Sequence, residues 1–178
     1  MAKDADEALF RNVVLPHLEE AYTLARWITR NRGDADDVVQ EASVRAFRAI
    51  RSFSGGNARA WVLTIVRNTA YTWLRKNRSA VFVQVEDIEA IEHAHALAGN
   101  PEVETPESLL IAENDAVRLE AAISALPDPF RETLILRDVQ GLDYREIASI
   151  TGVPIGTVMS RLARGRSRLI ADLRGKEQ

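Results

Sequence analysis

The chain has 178 residues and no cysteine, which excludes a disulfide scaffold and any thiolate metal site. Its hydrophobic fraction of 46% is ordinary for a globular protein, but no apolar run approaches the roughly 20 residues of a membrane helix, and the charged N-terminus does not resemble a signal peptide. We therefore expect a cytoplasmic protein without membrane insertion, built as one domain or two small ones.

The formal net charge of -3 is distributed unevenly along the chain. Residues 79–115 contain nine acidic side chains and neither Lys nor Arg. The rest of the chain holds the other 17 acidic side chains and all 23 basic ones, a net charge of +6. An asymmetry of this kind is compatible with nucleic-acid binding, which the total charge alone would disfavour.

Helical periodicity dominates the first third of the chain. The first helix is expected to start near Glu7 or Pro16 and to end before Gly33, which fits a C-terminal glycine with positive φ. Asp34 then predicts the N-cap of a second helix, which runs to about Arg51.

The acidic opening of this second helix, residues 34–41, exposes Asp34, Asp37, Gln40 and Glu41. The three carboxylates in this set could cap the helix or offer ligands to a metal, and a helix that exposes Asp, Gln and Glu could dock on a basic protein surface. The pattern alone does not decide between these interpretations.

A loop is predicted at 52–57 and a third helix at about 59–77. One side of this helix is apolar, and the other carries Arg67, Tyr71, Arg75 and Arg78, with Asn68 and Trp61 along one margin. Aromatic rings interleaved with arginines suit single-stranded nucleic acid, because rings stack on exposed bases while cations hold the backbone. Trp73 is expected in the core, whereas for Trp61 and Tyr71 core and binding roles remain open.

Residues 79–106 are predicted to form a flexible acidic linker punctuated by glycine and proline. The short run 81–85 is the one segment with a strand-like pattern. His93 and His95 form the only histidine pair, and no third ligand lies at a suitable spacing. We therefore expect no metal, no cofactor and no catalytic residue.

The last third of the chain predicts a helix-turn-helix. One helix runs from about 106 to Ala125, and Asp128 is the expected N-cap of the next, which ends at Gly141. Asp143 and Glu146 suggest a capping box for a short helix that ends at Thr151. A turn at residues 152–153 leads into the final helix, from Pro154 to about Leu173.

The final helix is predicted to be two-sided. Its apolar face is Ile155, Val158, Leu162 and Leu169, and its opposite face is Thr157, Ser160, Arg161, Arg164 and Arg168. Hydroxyl and guanidinium groups on one face suit the major groove of duplex DNA. The alternative is a solvated basic face on a structural helix.

Three segments in series resemble the extracytoplasmic-function group of bacterial sigma-70-type RNA polymerase sigma factors. Residues 34–41 (DADDVVQE) resemble the helix that binds the clamp helices of the polymerase. Residues 53–76 (FSGGNARAWVLTIVRNTAYTWLRK) resemble the region that melts the promoter and recognises its proximal element. Residues 126–169 resemble the domain that reads the distal element.

The resemblance implies an all-α protein of two small helical domains, 8–78 and 107–175, joined by the flexible acidic linker 79–106. It implies a sigma factor and not an enzyme, with core RNA polymerase, promoter DNA (double-stranded and melted single strand) and an anti-sigma protein as partners. The implied polymerase contacts are Asp34, Asp37, Gln40 and Glu41. The implied proximal-element contacts are Phe53, Asn57, Trp61, Arg67, Asn68, Tyr71 and Arg75. The implied distal-element contacts are Thr157, Ser160, Arg161, Arg164 and Arg168.

Two other functions compete with this interpretation. A stand-alone helix-turn-helix regulator would leave the segments 34–41 and 59–78 without a role. A sigma mimic that titrates an anti-sigma protein would not need its DNA-facing arginines. One departure from the family pattern is Met159, where many members have Lys or Arg, and the helical period places Met159 nearer the core side.

Overall fold

The computed structural model describes residues 2–81 and 106–175. Helices dominate both ranges, and no strand occurs among the described residues, which confirms the prediction of an all-α protein. The first range holds α1 (Ala2–Val13), α2 (Leu18–Thr29), α3 (Arg32–Ala49) and α4 (Ala58–Val81), with 3-10 turns at Leu15–His17 and Ile50–Ser52. The second holds α5 (Pro106–Ala125), α6 (Asp128–Leu134), a π-helical turn (Ile135–Val139), α7 (Tyr144–Thr151) and α8 (Ile155–Gly175).

The beginning of α3 corrects the predicted cap. Asn31, not Asp34, is the N-cap, and its side-chain oxygen accepts a hydrogen bond of 3.0 Å from the backbone N–H of Asp34. The left-handed residue that separates α2 from α3 is Arg30, with φ of 62°, so Gly33 lies inside the first helical turn. Asn is as good an N-cap as Asp, and Asp34 instead faces the positive end of the helix dipole.

The N-terminal unit is built around α2, α3 and α4. Its buried side chains are Ala21, Leu24, Ala25 and Ile28 of α2, Ala35, Val38, Ala42 and Ala46 of α3, and Val62, Leu63, Val66 and Ala70 of α4. The alanines of α3 let the neighbouring helices approach closely. Phe47 of α3 is 38% exposed and makes an edge-to-face contact with Phe10 of α1.

In the C-terminal unit, helix α6 has a proline as its N-cap. Pro127 is the N-cap of α6, one residue before the predicted Asp128. The carboxylate of Asp128 instead accepts a hydrogen bond of 2.7 Å from Arg131. The capping box of α7 is confirmed, because Asp143 accepts from the backbone N–H of Glu146 while Glu146 accepts from that of Asp143.

The two units pack against each other. Helix α7 lies on α4, and α6 lies on α2. Buried Leu142, Ile147 and Val158 belong to the same apolar cluster as the side chains of α2–α4. The described parts of the two units therefore share one continuous hydrophobic core.

Several sequence predictions lie outside the described residues. These are the strand-like run beyond Val81, the pair His93 and His95, and residues 82–105 of the predicted linker. Its first residues, 79–81, belong to α4, and Pro106 begins α5. Among the helices described, none combines the length and apolar character that a bilayer crossing requires.

Candidate nucleic-acid interface

Helix α3 presents the predicted acidic face. Asp37, Gln40 and Glu41 are exposed and Asp34 is half-buried. Glu41 accepts a hydrogen bond of 2.8 Å from Arg45 one turn later, and this bond holds the pKa of the Glu41 carboxyl below its usual value. The bond from Arg45 therefore favours the charged form of Glu41.

The loop before α4 is held by its own side chains. Phe53 packs against Trp61, with ring centroids 5.4 Å apart. Gly55 and Gly56 have φ of 93° and 95°, a backbone conformation that favours glycine. The Asn57 side-chain oxygen accepts a hydrogen bond of 2.9 Å from the backbone N–H of Ala60, which supports the first turn of α4.

The structure places the predicted proximal-element residues of α4 along one side of the helix. We call Asn57, Trp61, Arg67, Asn68, Tyr71 and Arg75 the proximal face. The Arg67 guanidinium lies 4.9 Å from the centre of the Tyr71 ring. Burial, reinforced by the negative charge of Glu132, raises the pKa of Tyr71 to about 12, so its hydroxyl stays protonated. Asn68 and Arg75 are exposed.

Helix α8 carries the predicted distal-element residues. Ser160, Arg164 and Arg168 are exposed, whereas Thr157 and Arg161 are half-buried. The Arg168 guanidinium lies 4.9 Å from the centre of the Phe130 ring, which orients part of its stem against α6. Gly152, with φ of 69°, ends α7 and turns the chain into α8, as a helix-turn-helix requires.

Two residues of α8 differ from the prediction. Met159 is 53% exposed and Ile155 is 42% exposed, although both were expected on the apolar side. Val158 and Leu162 are buried, as predicted, and the buried line of α8 also includes Gly165, which lies close to Phe130. Relative to the predicted face, this line is rotated away from Ile155 and Met159.

Sequence reasoning missed the acidic groups that contact the proximal face. Arg67 donates from Nε to Glu132 Oε1 at 2.5 Å and from a terminal nitrogen to Oε2 at 3.3 Å. Glu132 lies in α6 and is buried, and burial raises the pKa of its carboxyl despite the hydrogen bond from Arg67. The Asn57 amide donates to Glu146 of α7. No local sequence signal marks these pairs, since the partners are 65 and 89 residues apart.

A buried arginine also joins the two units. Arg131 of α6 is 2% exposed and donates a hydrogen bond of 2.9 Å to the backbone oxygen of Trp27 in α2. It also donates to the backbone oxygen of Leu126 and to Asp128. Its guanidinium thus satisfies a carbonyl near the C-terminus of α2 that would otherwise be left without an intrahelical partner.

Two family matches cover both units. Residues 13–80 match the family described as Sigma-70 region 2, and residues 116–169 match Sigma-70, region 4.

Curated relatives match most of the chain. It is 35% identical over 167 residues to the ECF RNA polymerase sigma-E factor of Escherichia coli (strain K12), covering 92% of this chain and 86% of that protein. It is 34% identical over 158 residues to the ECF RNA polymerase sigma factor SigE of Mycolicibacterium smegmatis, covering 88% of this chain. The match spans 58% of the mycobacterial protein's length.

Solved structures share the fold. The sigma factor RpoE in complex with the anti-sigma factor NepR from Bartonella quintana superposes with a TM-score of 0.75 at 29% identity, covering 93% of this chain and 96% of that one. CnrH, in complex with the cytosolic domain of CnrY, superposes with a TM-score of 0.67 at 23% identity, covering 98% of this chain and 93% of that one.

Proposed function

Because this chain belongs to the extracytoplasmic-function group of the sigma-70 family, a family of transcription initiation factors, we propose that it directs core RNA polymerase to specific promoters and has no catalytic activity of its own. We assign the acidic face of α3 to core polymerase, the proximal face of α4 to the melted proximal element, and α8 to the duplex distal element. The expected domains are 8–78 and 107–175, and the expected location is the cytoplasm.

The outward side of α8 is the observation that carries this proposal. Ser160 and Arg164 are exposed on a helix that follows a capped α7 and a left-handed Gly152. Neither residue is needed for the core, so their chemistry is available to a ligand. Arginine reads guanine edges or clamps phosphates, and serine hydroxyls reach either.

The acidic face of α3 supports the polymerase assignment. Asp37, Gln40 and Glu41 are exposed on one helix, and the hydrogen bond from Arg45 favours the charged form of Glu41. This acidic face does not favour binding to DNA, because its negative charge repels the phosphate groups. A basic protein surface fits it instead.

Control by an anti-sigma protein is part of the proposal. The Bartonella quintana relative was solved in complex with the anti-sigma factor NepR. The present chain has the same two-unit fold over nearly its whole length, so it offers a comparable surface for such a partner.

In vitro transcription tests the function directly. Purified protein and bacterial core polymerase are given a pool of genomic promoter fragments, with Arg164→Ala compared against Arg174→Ala, an exposed arginine near the end of the same helix. We expect promoter-specific transcripts that depend on the protein and fall about tenfold with Arg164→Ala, since one bidentate base contact contributes about 1–3 kcal/mol. Arg174→Ala should leave them unchanged.

Two other outcomes would replace the proposal. Duplex DNA binding without any transcript would favour a stand-alone helix-turn-helix regulator. Neither transcript nor DNA binding, from folded protein free of inhibitor, would favour a sigma mimic that titrates an anti-sigma protein.

A further inference from the structure

The contact between the two units falls on the proximal face itself. The Arg67 side chain is only 20% exposed, and its Nε and one terminal nitrogen both donate to Glu132, whose side chain is 2% exposed. A carboxylate that receives two hydrogen bonds from one guanidinium resembles a phosphate clamped by arginine. Glu132 therefore offers Arg67 the kind of acceptor that a DNA phosphate would offer.

A second acid covers the beginning of α4. Glu146 of α7 accepts a hydrogen bond from the Asn57 amide, the residue expected to contact the melted strand. Nearby, Arg59 donates to the backbone oxygen of Gln140 and to Glu20. The C-terminal unit thus engages two polar residues at the start of α4, Asn57 and Arg59.

Charge complementarity extends along the rest of the interface. Arg26 of α2 pairs with Glu120 of α5 at 2.7 Å, and Arg30 pairs with Asp128 at 3.1 Å. In each of these pairs, as in Arg67–Glu132, the N-terminal unit supplies the cation and the C-terminal unit supplies the acid. The buried bond from Arg131 to the Trp27 carbonyl fixes the register.

We propose that the free protein is self-inhibited by this closure: Glu132 and Glu146 of the C-terminal unit act as internal substitutes for DNA on the proximal face. The inference rests on the proposed DNA role of that face. The Arg67 guanidinium cannot donate the same two N–H groups to Glu132 and to a phosphate, so promoter binding requires the units to separate. Core polymerase or DNA binds the separated form, and its apparent affinity falls with the fraction of separated molecules.

The Arg67–Glu132 pair suits a closure that has to open. The free energy lost when a carboxylate is removed from water offsets most of its attraction to the paired guanidinium. A buried ion pair therefore contributes little net stability, but it determines which groups come into contact. The apolar contacts of α7 on α4 and the Arg131 bond hold the units together, and Glu132 determines that the held form excludes DNA.

The test combines two measurements on the free, full-length protein. Small-angle X-ray scattering gives the radius of gyration, which for a compact chain of this length is about 16 Å. Fluorescence anisotropy gives the affinity for a dye-labelled, 12-nucleotide single-stranded DNA of mixed sequence. Far-UV circular dichroism establishes that each variant is folded.

Four variants distinguish the effect of added positive charge on DNA binding from the effect of separating the two units. Glu132→Lys places a cation against Arg67. Glu120→Lys places a cation against Arg26 at the partly exposed edge of the contact between the two units, where the substitution does not disturb the core of the C-terminal unit. Glu132→Gln preserves the shape and keeps the interface closed. Glu7→Lys makes the same charge change at an exposed position of α1 away from the interface.

We expect wild type, Glu132→Gln and Glu7→Lys to be compact and to bind the oligonucleotide weakly. Glu132→Lys and Glu120→Lys should expand, and they should bind about fivefold or more tightly than Glu7→Lys, since apparent affinity follows the competent fraction. An expanded wild-type protein would overturn the inference. So would expanded lysine variants that bind no better than Glu7→Lys.

Transcription with core polymerase separates this inference from the proposed function. If wild type and the lysine variants all start promoter-specific transcripts while the closure test fails, only the self-inhibition is lost. If closure and unmasking are both observed but no variant supports a transcript, the sigma function is lost and the closure stands.

Discussion

Glu132 is the residue whose charge is most constrained by its surroundings. It is 3% exposed, and its neighbours Arg67 and Arg161 both favour the charged form, yet burial prevails and raises the pKa of its carboxyl above the usual value of 4.5. The folded protein therefore binds this proton more tightly than the unfolded chain does. The stability contributed by this group is greatest at low pH and is lost as pH rises through the raised pKa.

Glu132→Gln tests that linkage. The amide does not titrate, so the free energy of unfolding of the variant should increase relative to wild type between pH 5 and pH 7.5. Urea unfolding of both proteins at the two pH values gives the difference. If the free energy of unfolding of the variant does not increase relative to that of wild type as pH rises, the pKa of Glu132 is not raised.

Arg131 is the second residue with a large expected effect. Its buried guanidinium donates to the backbone oxygens of Trp27 and Leu126 and to Asp128. Arg131→Ala leaves these acceptors without their donor, and we expect a loss of about 3 kcal/mol in the free energy of unfolding. The measurement is chemical denaturation, with exposed Arg145→Ala as the control that should change stability by less than about 0.5 kcal/mol. Equal losses of unfolding free energy in the two variants would show that the buried hydrogen bonds of Arg131 stabilise the fold no more than an exposed arginine does.

At the scale of elements, α3 offers a matched pair of acids. Asp36 and Asp37 are adjacent and both exposed, but only Asp37 shares the helix face of Asp34 and Glu41. Asp37→Lys should weaken binding to core polymerase about tenfold or more, because it opposes a basic surface with a cation, whereas Asp36→Lys should have little effect. Competition between the variants and wild type for core polymerase measures both. A similar loss in the two variants would assign the effect to total charge and not to the face.

Helix boundaries were predictable where one local signal dominates. Asp143 with Glu146 determines the start of α7, and Gly152 its end, because capping boxes and left-handed glycines act within a few residues. At the start of α3 two candidate caps compete, and Asn31 prevails over Asp34. The chain makes its left-handed turn at Arg30 without glycine, a choice that depends on how α2 and α3 pack.

The rotation of α8 and the interface residues of the site could not be predicted from local patterns. Periodicity alone left Met159 near the apolar side, and the close approach of Gly165 to Phe130 decides otherwise. The partner of Arg67 lies 65 residues further along the chain. Such pairings depend on how separate helices pack against each other. The residue pattern within one helix does not determine that packing.

At the scale of the whole molecule, the two units share one apolar core. A fragment of residues 106–178 would expose the side of α7 that packs on α4, including the surroundings of Ile147. We therefore expect the fragment to unfold at a lower temperature than the same helices in the intact chain, which should show a single transition. Circular dichroism melting measures both. Equal melting temperatures would mean that the units are energetically independent.

The exposure of Met159 has a consequence for oxidation chemistry. Met1 and Met159 are the only methionines, and the chain has no cysteine to react first. Peroxide converts an exposed thioether into a polar sulfoxide, which reductases can reverse. The one internal sulfur atom of this protein therefore stands exposed on the helix assigned to duplex DNA, and a single added oxygen atom would make that part of the helix surface more polar.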